Sequence, residues 1–403
     1  MFFNTWLFGL FAIVVVALYA LAPPRFRAYV LVLAGLAFYA NAGPPNLLLI
    51  VAATFATYGC ARLLQATGER SRRYVLAGTA VVVLLLLLSY FKYARWLSAA
   101  FASQWPAWHV PVFGPLVAPL AISFFTFEFI HFINEVRAGR IKEFSLKQFL
   151  VFALFFPTMV AGPIKRYRTF APQVDELGLA RGAALQTALY RICLGLFKKI
   201  AIADPAMVFA QPIFHPDPSY TAGTYLLGLV AGSVKVYYDL GGYSDIAIGF
   251  AMLFGLRVPE NFARPFAATN VLEFWARWHI SLTSWVRDYV FLPLASRWGD
   301  RTARVAGVRL SVLASMLAVM VIIGVWHGAG WQFVIWGAWN GACMAIYQLW
   351  RGGVSRRVSW LRTPSPLLAV PSVVLTYASF TLGLGWVAAP TIGDALTIYR
   401  SFL

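Results

Sequence analysis

Residues 74–91 read YVLAGTAVVVLLLLLSYF, a stretch without a single charged side chain. A helix needs about 20 predominantly apolar residues to cross the hydrocarbon core of a bilayer, which is roughly 30 Å thick. Basic residues flank the run on its amino-terminal side, at Arg70, Arg72 and Arg73. The stretch therefore predicts a membrane-spanning helix, and it sets the class of fold for the rest of the chain.

The composition of the whole chain agrees with a membrane protein. Of the 403 residues 60% are hydrophobic, only 12% are charged, and the mean hydropathy is +0.70. A typical soluble domain has roughly 25% charged residues. Lys and Arg (33) exceed Asp and Glu (15), which gives a net charge of +18. In so apolar a chain this excess indicates cytoplasmic loops, because nucleic-acid binding would need a basic face on a soluble module.

Similar apolar segments recur and predict an all-α polytopic membrane protein with roughly 10–12 transmembrane or re-entrant helices. Several are too short to cross a bilayer unaided and are typical of re-entrant helices, whose broken backbone needs cover from protein or a water-filled cavity. The predicted segments are 3–21, 28–40, 46–63, 74–91, 112–133, 148–160, 183–202, 221–238, 243–256, 310–326, 331–349 and 367–387.

The order of these segments predicts one membrane domain over residues 1–403, because no internal repeat or low-complexity linker divides the chain. We expect peripheral helices in residues 1–100 and a carboxyl-terminal helix over 367–388. Residues 2–21 lack the basic start and cleavage site of a signal peptide, which favours a retained first span. Lys and Arg concentrate after alternate spans, which predicts an outside amino terminus.

Residues 235–293 break the apolar pattern, because charged side chains are interspersed there with aromatic and small residues. A charge at membrane depth costs about 3 kcal/mol or more and persists where it is paired or lines a wet cavity. This segment is therefore expected to face inward. We expect Asp245 to pair with Arg264, and Glu260 with Arg257.

The first histidine of interest lies in a predicted helix over residues 271–289. Asn270 is a good amino-terminal cap with Glu273 at the third helical position, and Glu273 and Arg277 have the spacing of an ion pair. His279 falls on the same helix. Both a histidine at a membrane interface and a functional histidine fit this pattern.

The second histidine lies in residues 324–337, which read GVWHGAGWQFVIWG. Glycines on both sides of His327 would let a ligand or another backbone approach the imidazole closely. Histidine can take and return a proton near neutral pH, so His327 is a candidate proton acceptor. An interfacial Trp/His residue with glycines for helix packing fits equally well.

Five motifs resemble the membrane-bound O-acyltransferase family, in particular its bacterial branch of alginate O-acetylation and teichoic-acid D-alanylation proteins. The resemblance covers most of residues 116–350. The motifs are residues 118–140, FFPTMVAGPIKRYRTFAPQ (155–173), GGYSDIAIGFAMLFGLRVPENFARPF (241–266), EFWARWHISLTSWVRDYVFLPL (273–294) and GVWHGAGWQFVIWG (324–337).

The resemblance implies a ring of helices around a thinned centre with a tunnel, in the bacterial inner membrane. It implies that His327 is the essential catalytic residue and His279 the second signature residue near it. His327 would act as general base on an acceptor hydroxyl. His279 or a neighbouring donor would orient His327 or stabilise the oxyanion. The residues expected to line the substrate path are Trp275, Trp278, Asn261, Trp326, Tyr243 and Asp245.

The expected donor is acetyl-CoA or another acyl thioester, and no tightly bound cofactor is expected. Lys165, Arg166 and Arg168 are suited to the phosphates of CoA or of a phosphopantetheine carrier. Positive-inside bias alone would also place basic residues there. No metal site is expected, because the three cysteines have neither a CxxC nor a Cys/His spacing.

The residues of the motifs PENFARPF (259–266) and WHGAGW (326–331) favour transfer of acetyl toward hydroxyls of an extracytoplasmic polysaccharide, with alginate biosynthesis as the reference case. The resemblance implies an extracytoplasmic SGNH-like acyltransferase partner, a polysaccharide acceptor and the lipid bilayer as partners. D-alanyl transfer from a carrier-protein thioester is the alternative within the family. A membrane transporter and a non-enzymatic scaffold are the alternatives of other classes.

Overall fold

The computed structural model describes residue 3 and residues 5–102, 118–297, 303–353 and 366–403. Within these ranges the regular secondary structure is helical apart from one short β-hairpin, which confirms the all-α class. Residues 112–117 of the predicted segment 112–133 lie outside the described ranges. Four described helices are long and apolar enough to cross a membrane: Pro44–Ala66, Arg70–Phe101, Leu310–His327 and Leu367–Ala388.

Eighteen helices are numbered here in chain order over the described residues. They are α1 (Trp6–Leu21), α2 (Arg27–Ala40), α3 (Pro44–Ala66), α4 (Arg70–Ala102), α5 (Ile122–Arg137), α6 (Leu146–Leu154), α7 (Phe156–Met159), α8 (Tyr167–Phe170), α9 (Gly182–Phe197), α10 (Asp204–Phe214), α11 (Ala222–Leu253), α12 (Val271–Arg277), α13 (Ile280–Val286), α14 (Leu292–Arg297), α15 (Leu310–His327), α16 (Trp331–Gly352), α17 (Pro366–Ala388) and α18 (Ile392–Arg400). The hairpin pairs β1 (Arg304–Val305) with β2 (Val308–Arg309) in antiparallel register.

The chain divides into two compact units. The first comprises residues 1–199 and 242–260, and the second comprises residues 200–241 and 261–403. The expectation of one membrane domain over the whole chain stays a prediction.

The two predicted segments 221–238 and 243–256 form the single helix α11, so the predicted separation of these segments is wrong. In the first unit, Gly242 meets α9 at Gly195. A side chain added at Gly195 would lie 2.5 Å from the Gly242 carbonyl oxygen, and one at Gly249 would lie 2.8 Å from the Ala188 carbonyl oxygen. These glycines therefore allow two helices to approach closely, which is their common use in membrane proteins.

In the second unit, α15 and α16 form a tightly packed helical hairpin. A β-carbon added at Gly324 would lie 2.2 Å from the Phe333 carbonyl oxygen, and one at Gly337 would lie 2.4 Å from the Met320 carbonyl oxygen. The glycines that precede and follow His327 in the sequence therefore fix the backbones on which its ring is placed.

This packing makes Gly337 intolerant of a side chain. We expect Gly337→Ala to lower the free energy of unfolding by about 1–3 kcal/mol, the usual cost of overpacking. Gly59→Ala in α3 is the control, because nothing lies within 4 Å of a β-carbon there. Gly59→Ala is expected to be neutral or stabilising, since alanine favours helix more than glycine does. Thermal unfolding of the detergent-solubilised variants measures the difference, and equal melting temperatures would refute the packing argument.

Candidate active site

His327 is the last residue of α15, and its side chain is exposed. Gly328 ends the helix with an extended backbone, and α16 begins three residues later at Trp331. The imidazole ring lies 4.7 Å from the Trp326 ring and meets the Trp336 ring edge-on at 5.1 Å. The histidine is therefore held by indole rings on its flanks while its ring stays accessible.

A path of ring contacts runs from His327 toward the second histidine. Trp336, which is buried, also meets Trp275 of α12 edge-on at 6.1 Å. Trp275 lies four residues before His279 in the sequence. Both histidine motifs are therefore parts of the second unit, joined through α12 and α16.

The backbone breaks at His279, so the prediction of one helix over 271–289 is wrong. Helix α12 ends at Arg277, Trp278 is extended, and His279 adopts a left-handed conformation with φ 44° and ψ 53° before α13 begins. Such a conformation costs a non-glycine residue about 1–3 kcal/mol and is concentrated at functional sites.

The start of this helix is confirmed as predicted. The Asn270 side chain accepts a hydrogen bond from the Glu273 backbone N–H at 2.9 Å. Glu273 and Arg277 form their ion pair at 2.5 Å. The local signals at the amino-terminal end were therefore sufficient, and the break two residues after Arg277 has a different cause.

The break at His279 is caused by Asn261, which is 1% exposed and lies outside both helices. Its backbone carbonyl accepts the Ile280 N–H at 2.8 Å, and its side-chain oxygen accepts the Ser281 hydroxyl at 2.6 Å. The Ala263 N–H donates to the Arg277 carbonyl at 3.0 Å. These bonds replace the helical bonds that a continuous helix would make.

The His279 ring is buried beside aromatic residues. It lies 6.2 Å from the Phe262 ring, which in turn meets Trp278 edge-on at 5.1 Å. The His279 Nδ1 atom is buried and has no hydrogen-bond partner among the described residues. A buried polar atom without a partner is uncommon in folded proteins and is typical of sites that receive a ligand or ordered water.

Two of the predicted path-lining residues, Tyr243 and Asp245, belong to the first unit. Asp245 is held by Arg191 at 3.1 Å and by Lys198, and Arg191 also binds Glu260 at 2.6 Å. The predicted pairs Asp245–Arg264 and Glu260–Arg257 are therefore wrong.

Arg191 and Lys198 were not predicted from the sequence as partners of Asp245. They lie on either side of Gly195, where α9 meets α11. Gly242 and Gly249 are seven residues apart, and so are Arg191 and Lys198. This shared spacing was the sequence signal that could have indicated the contact between α9 and α11.

The basic loop after α7 is anchored on α5 in the first unit. Lys165 is 1% exposed, and its ammonium group contacts Glu128 at 2.8 Å and donates to the Thr158 hydroxyl at 2.7 Å. The Tyr167 N–H donates to His131 Nε2 at 3.0 Å. The geometry thus assigns the Lys165 charge to Glu128 rather than to a ligand.

Arg166 and Arg168 differ from Lys165 in exposure. The Arg168 side chain is 57% exposed and lies 3.9 Å from Glu135, and Arg166 is half-buried. Their role as phosphate-binding residues stays a prediction. No group of three or more His, Cys, Asp or Glu side chains in the described ranges is placed to hold a metal ion.

Helices of membrane-crossing length and two histidines placed at helix ends define an integral membrane protein with a candidate acid–base site. Residues 119–379 match the profile of MBOAT, the membrane-bound O-acyltransferase family. The chain therefore belongs to the membrane-bound O-acyltransferase family and is a multi-pass membrane protein.

Curated relatives include O-acetylating and D-alanylating proteins. The chain is 35% identical over 350 residues to the probable alginate O-acetylase AlgI of Azotobacter vinelandii, covering 85% of this chain and 67% of the relative. It is 32% identical over 354 residues to the peptidoglycan O-acetyltransferase of Helicobacter pylori, covering 81% and 65%. It is 30% identical over 273 residues to the teichoic acid D-alanyltransferase of Bacillus subtilis, covering 65% and 66%. The chain thus spans about two thirds of the length of these relatives.

Proposed function

We propose that this chain transfers an acyl group, most favourably acetyl, from a cytoplasmic thioester toward hydroxyl groups outside the membrane. The observation that carries the proposal is His327, an exposed imidazole fixed between indole rings in a chain of this family. A general base must be reachable by its substrate and held in one orientation, and this side chain meets both requirements.

In the proposed reaction, His327 accepts the proton of the acceptor hydroxyl as the hydroxyl oxygen attacks the thioester carbonyl carbon. The carbon–sulfur bond breaks, the imidazolium returns the proton to the leaving thiolate, and an ester and a free thiol result. His279 or a neighbouring donor orients His327 or stabilises the developing oxyanion. General acid–base catalysis of this kind contributes about 10²- to 10⁴-fold in rate.

The donor imposes a requirement on the fold. CoA and phosphopantetheine are charged and cannot enter hydrocarbon, so a protein-lined tunnel through a ring of helices with a thinned centre belongs to the proposal. The proposed location is the bacterial inner membrane with the amino terminus outside.

The proposed acceptor is an extracytoplasmic polysaccharide, reached directly or through an SGNH-like acyltransferase partner. The named O-acetylating relatives favour acetyl, and alginate is one polymer that they indicate. The D-alanylating relative supports D-alanyl transfer from a carrier thioester as the second candidate.

Donor profiling tests the proposal. The purified protein in lipid nanodiscs is incubated with acetyl-CoA, longer acyl-CoAs, and acetyl and D-alanyl carrier-protein thioesters, and release of free thiol is measured. Consumption of acetyl-CoA supports acetyl transfer, and consumption of only the D-alanyl carrier supports the alternative. Solute counterflow in liposomes without thioester consumption would instead indicate a transporter, and neither activity would indicate a scaffold.

Arg166 and Arg168 give a second test of the donor. The double variant Arg166→Gln/Arg168→Gln is expected to raise the KM for acetyl-CoA about tenfold with little change in kcat, because charge-assisted bonds to phosphate are lost. Arg25→Gln, an exposed arginine before α2, is the control. Steady-state kinetics at low and high salt measure the effect, which should shrink as salt screens the charges. An unchanged KM would assign these arginines to positive-inside bias alone.

A further inference from the structure

Two buried tyrosine hydroxyls in the first unit donate their protons to backbone carbonyls. The Tyr19 hydroxyl donates to the Phe254 carbonyl at 2.8 Å, and the Tyr39 hydroxyl donates to the Leu120 carbonyl at 2.7 Å. Tyr243 differs from them. Its hydroxyl oxygen is buried, yet its proton has no acceptor among the residues that the structure describes.

The Tyr243 side chain is nevertheless well fixed. Its ring stacks on Phe3 with centroids 4.2 Å apart and planes at 12°. The hydroxyl lies beside the backbone amides of Val160 and Ala161, just after α7 ends. An amide N–H is a donor, so these groups can point at the hydroxyl oxygen but cannot take its proton.

Tyr243 lies next to a break in the backbone, which is a suitable place for a ligand that accepts its proton. Helix α7 has four residues and is followed by a turn and by Pro163, so the chain is broken next to Tyr243. Broken helices in membrane proteins are tolerated where they line a cavity, and their ends are common places for substrate groups. A buried hydroxyl with no acceptor costs about 1–3 kcal/mol, which a ligand that accepts its proton would recover.

We propose that the Tyr243 hydroxyl donates a hydrogen bond to a carbonyl oxygen of the bound acyl thioester. The inference rests on the proposed function, because it assumes a thioester donor. Such a donor carries carbonyl oxygens in two places, the acyl group and the amides of its pantetheine arm. Both are neutral hydrogen-bond acceptors. Tyr243 is thereby a substrate-binding residue, with Phe3 holding its ring in place.

Two unreactive CoA thioethers distinguish these sources. S-acetonyl-CoA carries a ketone that matches the acyl carbonyl, whereas S-propyl-CoA has the same chain length without a carbonyl. If the acyl carbonyl is bound, wild-type protein in nanodiscs binds the ketone about five- to tenfold more tightly, and Tyr243→Phe removes the difference. If an arm amide is bound, Tyr243→Phe weakens both analogues by the same factor. If Tyr243→Phe binds both as the wild type does, the assignment is overturned.

Tyr19→Phe is the matched control, because the protein itself accepts that hydroxyl proton. It is expected to lower the melting temperature of the ligand-free protein and to leave the binding of both analogues unchanged. Tyr243→Phe is expected to leave the ligand-free melting temperature unchanged or to raise it, since no protein hydrogen bond from its proton is lost and an unsatisfied buried hydroxyl is removed. Failure of the wild type to bind either analogue would overturn CoA as the donor of the proposed function, and the assignment of Tyr243 to a CoA thioester with it.

Discussion

Replacing His327 with alanine is expected to lower the rate of acyl transfer by about 10²- to 10⁴-fold, the usual contribution of a general base. The imidazole is exposed at the end of α15, so its removal leaves no cavity in the core. Exposed substitutions usually change the free energy of unfolding by less than about 0.5 kcal/mol. Activity should therefore fall while folding is retained.

Thiol release from acetyl-CoA by the purified variant measures this effect, with melting temperature as the folding check. His215→Ala is the control, because His215 is exposed in the same unit directly after α10. The control is expected to keep wild-type activity. Full activity of His327→Ala would contradict the proposed base, and an equal loss in both variants would indicate damage unrelated to the site.

The helices whose ends are marked locally could be predicted from the sequence. The predicted segment 310–326 corresponds to α15, and 331–349 corresponds to α16 with three further residues. The cap at Asn270 and the Glu273–Arg277 pair were also correct. Apolar runs, caps and residues one helical turn apart act within a few positions, so the sequence displays them directly.

A glycine can mark either a helix break or a close contact between two helices, and the sequence alone does not distinguish the two. Residues 239–242 were predicted to separate two segments, yet α11 continues through them, and Gly242 meets Gly195 there. The opposite error occurred at His279, which ends a helix although no glycine or proline marks the position. Its left-handed backbone is held by Asn261, whose bonds to Ile280 and Ser281 span about 20 positions.

Charge pairing was the least predictable feature of the candidate site. Asp245 was assigned to a cation in a later loop, but Arg191 and Lys198 from near the end of α9 are its partners. Lys165 was assigned to donor phosphates, but its partner is Glu128. A charge buried in a membrane protein must find a counter-charge, and the helix packing decides which one is near.

The Lys165–Glu128 pair gives the largest expected effect on stability. Glu128→Ala is expected to lower the free energy of unfolding by about 3–5 kcal/mol, because it leaves a buried ammonium group without its counter-charge. Both side chains are almost fully buried, with exposed fractions of 1% and 6%. Glu128 also accepts the Lys165 backbone N–H at 3.2 Å, so two bonds to the loop are lost together.

Lys147→Met is the matched control, because it removes a lysine–carboxylate pair of the same unit that is exposed. Lys147 contacts Asp175 at 2.6 Å, with side chains 39% and 50% exposed, and such a pair contributes at most about 1 kcal/mol. Denaturant titration of the variants in mixed micelles compares the two losses. Similar small losses in both variants would show that Lys165 reaches water when its partner is removed.

The double variant Glu128→Leu/Lys165→Met separates the cost of an unpaired charge from the value of the pair. Removing both charges removes both desolvation penalties, and apolar replacements of a buried ion pair are often neutral or stabilising. The double variant is therefore expected to recover most of the stability that Glu128→Ala loses. If it is as unstable as the single variant, the bonds that hold the loop on α5, rather than the compensation of charge, maintain this part of the fold.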